Sequence, residues 1–160
     1  MVIITLICNP NGNMSYPIKS CRYVGDDECA VCMHGNGVDY LDTDRAYRQK
    51  LAVQKHYGIE LKNPLLYFIL AFDDMVENPV LAIRYGYKCA EFFNGEYQVL
   101  WSVHQSESDH YWYHIHMAVN SVNLQDGRLL HASHELLSDF CEYISDVTKQ
   151  EVCGRIRRDV

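Results

Sequence analysis

Apolar runs separated by polar turns predict a chain of alternating strands and helices. The run Pro64–Phe72 is apolar at nearly every position, which is typical of a central strand buried on both faces. Val2–Ile7 predicts a first strand. Tyr97–Val103 and Tyr111–Val122 are rich in aromatic and β-branched residues and predict two more. These four runs define the expected sheet.

Three helices are predicted from capping residues and helical spacing. Asp44–Gly58 follows capping residues and stops at a glycine, Asn78–Phe93 opens with Asn-Pro, and His134–Val147 follows Ser133, which can cap it. In the second of these helices, apolar residues recur at helical spacing and are expected to face the protein core: Val80, Ile83, Tyr87, Ala90 and Phe93. The same spacing marks the apolar face of the third: Leu136, Leu137, Phe140, Tyr143 and Ile144. The glycine-rich stretch His34–Gly37 is expected to be a flexible loop.

This order of elements favours an α+β fold, with a mainly antiparallel β-sheet flanked by helices. At 160 residues the chain has the length of one domain, residues 1–160, which can also be the N-terminal module of a longer protein. No apolar run reaches about eighteen residues, so no membrane span is expected. Seven cysteines without a scaffold-like spacing favour reduced thiols and a cytoplasmic location.

Charge counts against nucleic-acid binding by the chain as a whole. The net charge is −7, and a long-range acidic field repels phosphates. Basic residues are nevertheless concentrated locally, in Lys19–Arg22, in the helix Asp44–Gly58 and in Arg155–Arg158. A DNA-binding role therefore requires that these local clusters outweigh the overall charge.

The triplet His114-Ile115-His116 carries the most specific chemical signal. Alternate side chains of a strand point to the same face, so His114 and His116 are expected to lie side by side. If the strands ending at His104 and starting near Tyr111 pair as a hairpin, His104 joins them. Three neutral imidazoles at one point are ligands for a divalent cation. His110 is a rival for the third position.

A second grouping of possible ligands is Cys29-Ala30-Val31-Cys32, with His34 and Cys21 near it in sequence. A structural zinc site usually has two close pairs of ligands, and here only one pair is present. Loop or core thiols are therefore favoured over zinc at Cys29 and Cys32.

The sequence around the histidines resembles that of the HUH endonucleases, and most closely that of the conjugative relaxases or mobilisation nucleases. The matching residues are His104, His114, His116, Asn120 and the turn Asp126-Gly127-Arg128. The resemblance covers roughly residues 18–132. The loop between the first histidine and the triplet is longer here than is usual in the family, and Ser106 stands where the family has an acidic residue.

The resemblance implies a site-specific nuclease that nicks one strand of single-stranded DNA at an origin of transfer. Its nucleophile would be Tyr23, in the family-like segment Ile18–Val24, with Tyr16 as the alternative. His104, His114 and His116 would hold Mn²⁺ or Mg²⁺. Supporting roles are expected for Glu107, Asp109 and Asn120. Bases would stack on Trp112 or Tyr113, and accessory relaxosome proteins are possible partners.

Two other functions remain open from the sequence. A metal-dependent hydrolase or oxygenase acting on a small molecule would use two histidines and a carboxylate such as Glu107. A relaxase-like module that binds DNA without cutting it would need no metal.

Overall fold

A six-stranded, mostly antiparallel sheet forms the centre of the protein in this computed structural model, which describes residues 1–8, 15–26, 28–61, 64–72, 76–93, 95–106 and 113–158. The spatial order of the strands is β2-β4-β5-β3-β1-β6. Among the described strands, only the β1–β6 pair is parallel. The strands are β1 (Val2–Cys8), β2 (Ala30–Asn36), β3 (Leu65–Phe72), β4 (Val99–Gln105), β5 (Tyr113–Asn120) and β6 (Val152–Arg158). This confirms the predicted α+β class.

In the described part of the chain, four helices cover the two faces of this sheet. The helices are α1 (Tyr16–Val24), α2 (Thr43–His56), α3 (Pro79–Glu91) and α4 (His134–Thr148). The helices α3 and α4 pack on one face, over an extensive apolar core that includes Phe68, Trp101 and Ile115. The helices α1 and α2 pack on the other face, over a smaller cluster that includes Tyr67 and Ala118. None of the described helices combines the length and apolarity that a membrane span requires.

Strand register decides which side chains share the second face. In β5, the odd-numbered residues Ile115, Met117 and Val119 enter the larger core, so His114 and His116 point the other way. In β4, Val103 enters the larger core, and His104 therefore faces the same side as the pair. We call this side, covered in part by α1 and α2, the histidine face.

Two strands were missed because their composition is typical of loops and basic surface segments. The stretch His34–Gly37 was expected to be a loop, which is wrong up to Asn36, because β2 pairs with β4 through main-chain hydrogen bonds. Glycine is tolerated there because the strand lies at the sheet edge and because a Cβ on Gly35 would come within 2.8–3.1 Å of Val38 and Tyr40. At the opposite edge, β6 runs parallel to β1.

The predicted core stripe of α3 is partly wrong. Val80 and Tyr87 are 61% and 44% exposed, while Ala82, Gly86 and Cys89 are buried. The helix turns its small residues to the sheet because Trp101 fills the space, and a Cβ on Gly86 would lie 2.2 Å from Cζ3 of Trp101. The apolar face predicted for α4 is confirmed by the burial of Leu137, Phe140 and Ile144.

Candidate metal centre and active site

Three histidines converge on the histidine face. His104 lies directly opposite His114 in the β4–β5 pair, and His116 lies two residues further along β5. The ring centroids of His104 and His116 are 4.5 Å apart, those of His114 and His116 are 4.7 Å apart, and those of His104 and His114 are 5.6 Å apart. One nitrogen from each ring lies within 4.8 Å of the other two. We call these residues the histidine trio.

Outer hydrogen bonds orient two members of the trio. Nε2 of His104 donates to the carbonyl oxygen of Val24 at 3.0 Å, which leaves the lone pair on Nδ1. Nδ1 of His116 shares a 2.8 Å hydrogen bond with the hydroxyl of Tyr67, which leaves Nε2 directed away from it. Among the described residues, Nδ1 of His104 and Nε2 of His116 are buried without a hydrogen-bond partner. Two orphaned ring nitrogens beside a third imidazole fit a divalent cation.

The electrostatics of the trio favour neutral rings. Burial, assisted by the neighbouring imidazoles, lowers the pKa of His116 to about 2 and that of His114 to about 4. Burial also lowers the pKa of His104. At neutral pH each ring therefore offers a lone pair, which is the form that binds metals.

The end of α1 brings Tyr23 against the trio. The tyrosine ring centroid lies 5.0 Å from that of His116 and 5.3 Å from that of His104. The helix begins with a proline in its first turn and buries Pro17, Ser20, Cys21 and Val24, which recur at helical spacing. Tyr23 lies beside this buried face and stays 47% exposed, so a substrate in solvent has access to it. Tyr16 begins the same helix and is partly buried in the cluster under α1 and α2.

An ion pair joins α1 to α2 next to the tyrosine. The guanidinium of Arg22 donates two hydrogen bonds to the carboxylate of Asp44, at 2.7 and 2.8 Å. The bond to Arg22 lowers the pKa of Asp44. Both groups are solvent-exposed, so the pair contributes position more than stability. It ties the segment that carries Tyr23 to the N-terminal turn of α2.

Asn120, expected to support the site, lies in a buried amide network. Its Oδ1 accepts from Nε2 of Gln54 at 3.0 Å, and its Nδ2 donates to Oε1 of Gln98 at 2.9 Å and to the carbonyl of Lys50 at 3.2 Å. It lies four positions beyond His116 along β5, which is roughly 13 Å of strand. The network connects β5 and α2 and does not include a trio residue.

The other residues singled out in the sequence comprise one buried tyrosine, four residues outside the described part of the chain and two free thiols. Tyr113 is buried in the larger core, so the expectation that it is an exposed stacking platform is wrong. Glu107, Asp109, His110 and Trp112 lie outside the described residues. Within the described part of the chain, the trio is the only group of three or more His, Cys, Asp and Glu side chains close enough to share a metal. Cys29 and Cys32 are free, half-buried thiols.

Sequence reasoning missed two residues. Tyr67 is the only hydroxyl-bearing side chain in the apolar strand β3, and that contrast was a signal that its hydroxyl has a specific partner. Lys50 is one of the basic residues concentrated in the predicted helix Asp44–Gly58, yet it is fully buried, with Nζ 3.5 Å from the carbonyl oxygen of Gln98. Burial lowers the pKa of Lys50 to about 8. No sequence signal separated it from the exposed basic residues around it.

Comparisons with known proteins bear on the fold and the family of the chain. The chain is similar over its whole length to a solved structure described as "Molecular Basis of Vancomycin Resistance Transfer in Staphylococcus aureus", with a TM-score of 0.65, 15% sequence identity and 99% of that chain covered, which shows a shared fold. No curated protein sequence matches. A family model for the MobA/VirD2-like relaxase nuclease domain matches residues 21–151, a range that contains Tyr23, the whole trio and Asn120. The chain therefore belongs to the MobA/VirD2-like relaxase nuclease family.

Proposed function

We propose that this relaxase nuclease domain nicks single-stranded DNA at an origin of transfer, with Tyr23 as the nucleophile and the histidine trio as the holder of a divalent cation. The observation that carries the proposal is the contact of the Tyr23 ring with His104 and His116, two residues with an orphaned buried nitrogen. The half-exposed phenol of the proposed nucleophile therefore lies next to the buried imidazoles that would hold the cation. The family match supports the nuclease class.

The histidine trio would bind the cation through neutral nitrogens. His104 would use Nδ1, because Val24 occupies Nε2, and His116 would use Nε2, because Tyr67 occupies Nδ1. The proposed cation is Mn²⁺, with Mg²⁺ as the alternative at higher concentration, because the oxygens of the substrate phosphate suit both ions, whereas imidazoles alone would favour Zn²⁺. When bound, the cation supplies Lewis-acid stabilisation of charge on the scissile phosphate.

Tyr23 would supply the attacking oxygen. Its Oη would form a bond to phosphorus while the bond from phosphorus to the 3′ oxygen breaks. The phenolic proton leaves to solvent, and the departing oxygen takes up a proton to become a free 3′-hydroxyl. The product is a 5′-phosphotyrosine on the chain, and attack by a 3′-hydroxyl reverses the step. The ester therefore conserves the bond energy that rejoining the strand requires.

The wider setting follows from the same proposal. Glu107 and Asp109 would orient a histidine or the substrate from the segment between β4 and β5, and Trp112 would stack on a base. We also propose that accessory relaxosome proteins deliver the DNA and that the protein works in the cytoplasm, where its free thiols stay reduced.

Covalent capture of DNA tests the proposal. A pool of random-sequence single-stranded oligonucleotides, labelled at either the 5′ or the 3′ end, is incubated with the protein and Mn²⁺ and separated in SDS. The 3′-label should travel with the protein and the 5′-label with a shorter free strand, because the tyrosine retains the 5′ phosphate. EDTA should abolish the adduct.

Matched tyrosine variants identify the nucleophile. Tyr23→Phe should remove the adduct, whereas Tyr16→Phe, on the same helix, should retain it. An adduct that persists in Tyr23→Phe contradicts the assignment of the nucleophile. Failure of the unmodified protein to form any adduct with Mn²⁺ or Mg²⁺ contradicts the proposed reaction.

A further inference from the structure

One half of the histidine face carries a basic groove beside the trio. Residues of β1, β3 and β6 line a depression of about 340 Å³. The lining residues are Ile3, Thr5, Ile7, Ile69, Ala71, Arg155 and Arg157. We call this depression the arginine groove. Its floor is mostly apolar, and its outer wall carries two guanidinium groups.

Strand register aligns the groove with the metal centre. His116 lies opposite Ile69, Ile69 opposite Thr5, and Thr5 opposite Arg155, so these four residues form one row across the sheet. Paired residues point to the same face, and three strand spacings separate the ends of the row by roughly 14 Å. That span is within reach of a few nucleotides of an extended strand.

Arg155 and Arg157 are two positions apart on β6, so both face the groove side of the sheet. A Cβ on Gly154 would meet Cys141 and Leu137 of α4, so Gly154 faces the opposite side and Arg155 faces the groove. Arg157 follows two residues later on the same side as Arg155 and lines the same groove. Arg158 points to the other face. The sequence Arg-Ile-Arg therefore produces a one-sided pair of positive charges.

One of these guanidinium groups is held in place. Nε of Arg155 donates to Oγ1 of Thr5 at 2.9 Å, and Thr5 is itself buried in the sheet. No carboxylate among the described residues forms an ion pair with Arg155. Arg155 is solvent-exposed, so its positive charge is available to an anion in solution, in a chain whose net charge is −7.

We propose that single-stranded DNA on one side of the scissile phosphate crosses the arginine groove, where Arg155 and Arg157 bind its phosphates and the apolar floor contacts its sugars or bases. This rests on the proposed function, since the row begins at the trio. Guanidinium forks match phosphate oxygens in geometry as well as charge. The groove thus supplies the local positive charge that an acidic nuclease needs in order to hold DNA.

Salt-dependent binding tests the proposal separately from catalysis. A fluorescein-labelled 20-nucleotide oligo(dT) is titrated with the full chain in EDTA, and anisotropy gives the Kd between 50 and 300 mM salt. Two phosphate contacts on a single strand predict that Arg155→Ala/Arg157→Ala reduces the log–log salt slope by about 1.4 and weakens binding roughly 10- to 30-fold at 0.1 M salt.

Matched variants make the result specific. Arg158→Ala removes one positive charge from the same strand on the opposite face, and we expect its slope to change by less than about 0.3, compared with about 0.7 for each groove arginine. Arg155→Lys/Arg157→Lys should retain most of the slope, which distinguishes lost charge from misfolding. Equal losses in the Arg158 variant, or an unchanged slope in the double alanine variant, would overturn the proposal.

The reaction itself gives an independent outcome. If binding depends on the two arginines but no covalent adduct forms, the proposal that the groove binds DNA is supported and the nicking proposal is refuted. If the adduct forms and the double alanine variant binds and reacts as the unmodified chain does, the nicking proposal is supported and the proposal that the groove binds DNA is refuted.

Discussion

Nε2 of His104 donates a 3.0 Å hydrogen bond to the carbonyl oxygen of Val24, the residue that follows Tyr23. This bond joins a ligand of the proposed metal centre to the last turn of the helix that carries the proposed nucleophile. It has two effects, because it fixes the tautomer of the imidazole and also holds the end of α1 against β4. Metal binding and the position of Tyr23 are thereby expected to be linked.

Removal of His104 should therefore disturb both the metal site and α1. We expect His104→Ala to weaken Mn²⁺ binding by more than the roughly 10–100-fold that loss of an outer hydrogen-bond partner costs, and to accelerate amide exchange at the end of α1. His114→Ala is the matched control, and it should weaken metal binding while leaving exchange in α1 nearly unchanged. Calorimetry and hydrogen–deuterium exchange measure the two effects. Equal exchange in both variants would refute the link.

The hydroxyl of Tyr67 should tune metal affinity without contacting the metal. Tyr67→Phe removes the partner of Nδ1 of His116 and keeps the aromatic packing, so we expect Mn²⁺ affinity to fall roughly 10–100-fold. Tyr57→Phe removes a comparable hydroxyl, bonded to the carbonyl of Leu124, and should leave the affinity within about twofold. Titration calorimetry with Mn²⁺ compares the variants, and an unaffected Tyr67→Phe would rule out this orienting role.

Asn120 should act on stability and leave metal affinity alone. Asn120→Ala removes a hydrogen-bond partner from each of the buried side chains of Gln54 and Gln98. We therefore expect the free energy of unfolding to fall by about 2–3 kcal/mol. The Mn²⁺ affinity of the folded fraction should stay within about threefold. Urea unfolding and calorimetry measure the two quantities. A large loss of affinity in fully folded Asn120→Ala would instead support a direct role for this residue at the metal site.

Lys50 should make stability depend on pH in a defined direction. Its pKa is about 8 in the folded protein and 10.5 when exposed, so between these values the unfolded chain binds more protons and the lysine's contribution to stability rises with pH. Below pH 8 the burial cost is fully present, on the order of 3 kcal/mol.

Comparison with a neutral side chain isolates this cost. Lys50→Met should be more stable than the unmodified protein at pH 7, and the difference should shrink towards zero by about pH 10.5. Lys55→Met, on the exposed side of the same helix, should show no such dependence. Urea unfolding from pH 6 to 10.5 gives the curves. A constant difference across that range would contradict the burial cost.

Gly86 should tolerate no side chain. A Cβ would lie 2.2 Å from Cζ3 and 2.7 Å from Cε3 of the fully buried Trp101, so Gly86→Ala must displace an indole in the core. We expect a loss of roughly 1–3 kcal/mol from overpacking, larger than the gain in helix propensity of up to about 1 kcal/mol. Val80→Ala on the exposed side of α3 should change stability by less than about 0.5 kcal/mol. Thermal unfolding of both variants provides the measurement.

Local pattern was sufficient for much of the scaffold. The apolar run of β3 and the alternation in β5 are short-range features, and a period of two places His114 and His116 on one face whatever the rest of the fold does. The α+β class follows from the order of such segments. Two of the caps expected from sequence are also present, since Asn78 accepts from the amide of Val80 and Ser133 accepts from the amide of Leu136. The expectation that Thr43 or Asp44 caps α2 is wrong, because Asp42 accepts from the amide of Arg45.

The two edge strands, the buried face of α3 and the burial of Lys50 depended on contacts with segments distant in sequence. The strands β2 and β6 form because β4 and β1 offer main-chain hydrogen bonds, which override a glycine-rich or basic composition. The face of α3 is chosen by the bulk of Trp101, which no spacing within the helix reveals. Lys50 is buried because α2 presents that position to the sheet.

The sequence by itself determined the residue types of the trio, the pairing of two of its members on one strand face, and the candidate tyrosine. Only the tertiary structure brought His104 opposite His114, gave Val24 and Tyr67 their hydrogen bonds to the imidazoles, and aligned Arg155 with His116 across the sheet. The physical reason is that side-chain alternation is a property of a single strand. Register between strands and the choice of an outer hydrogen-bond partner arise only when segments up to 150 residues apart pack together.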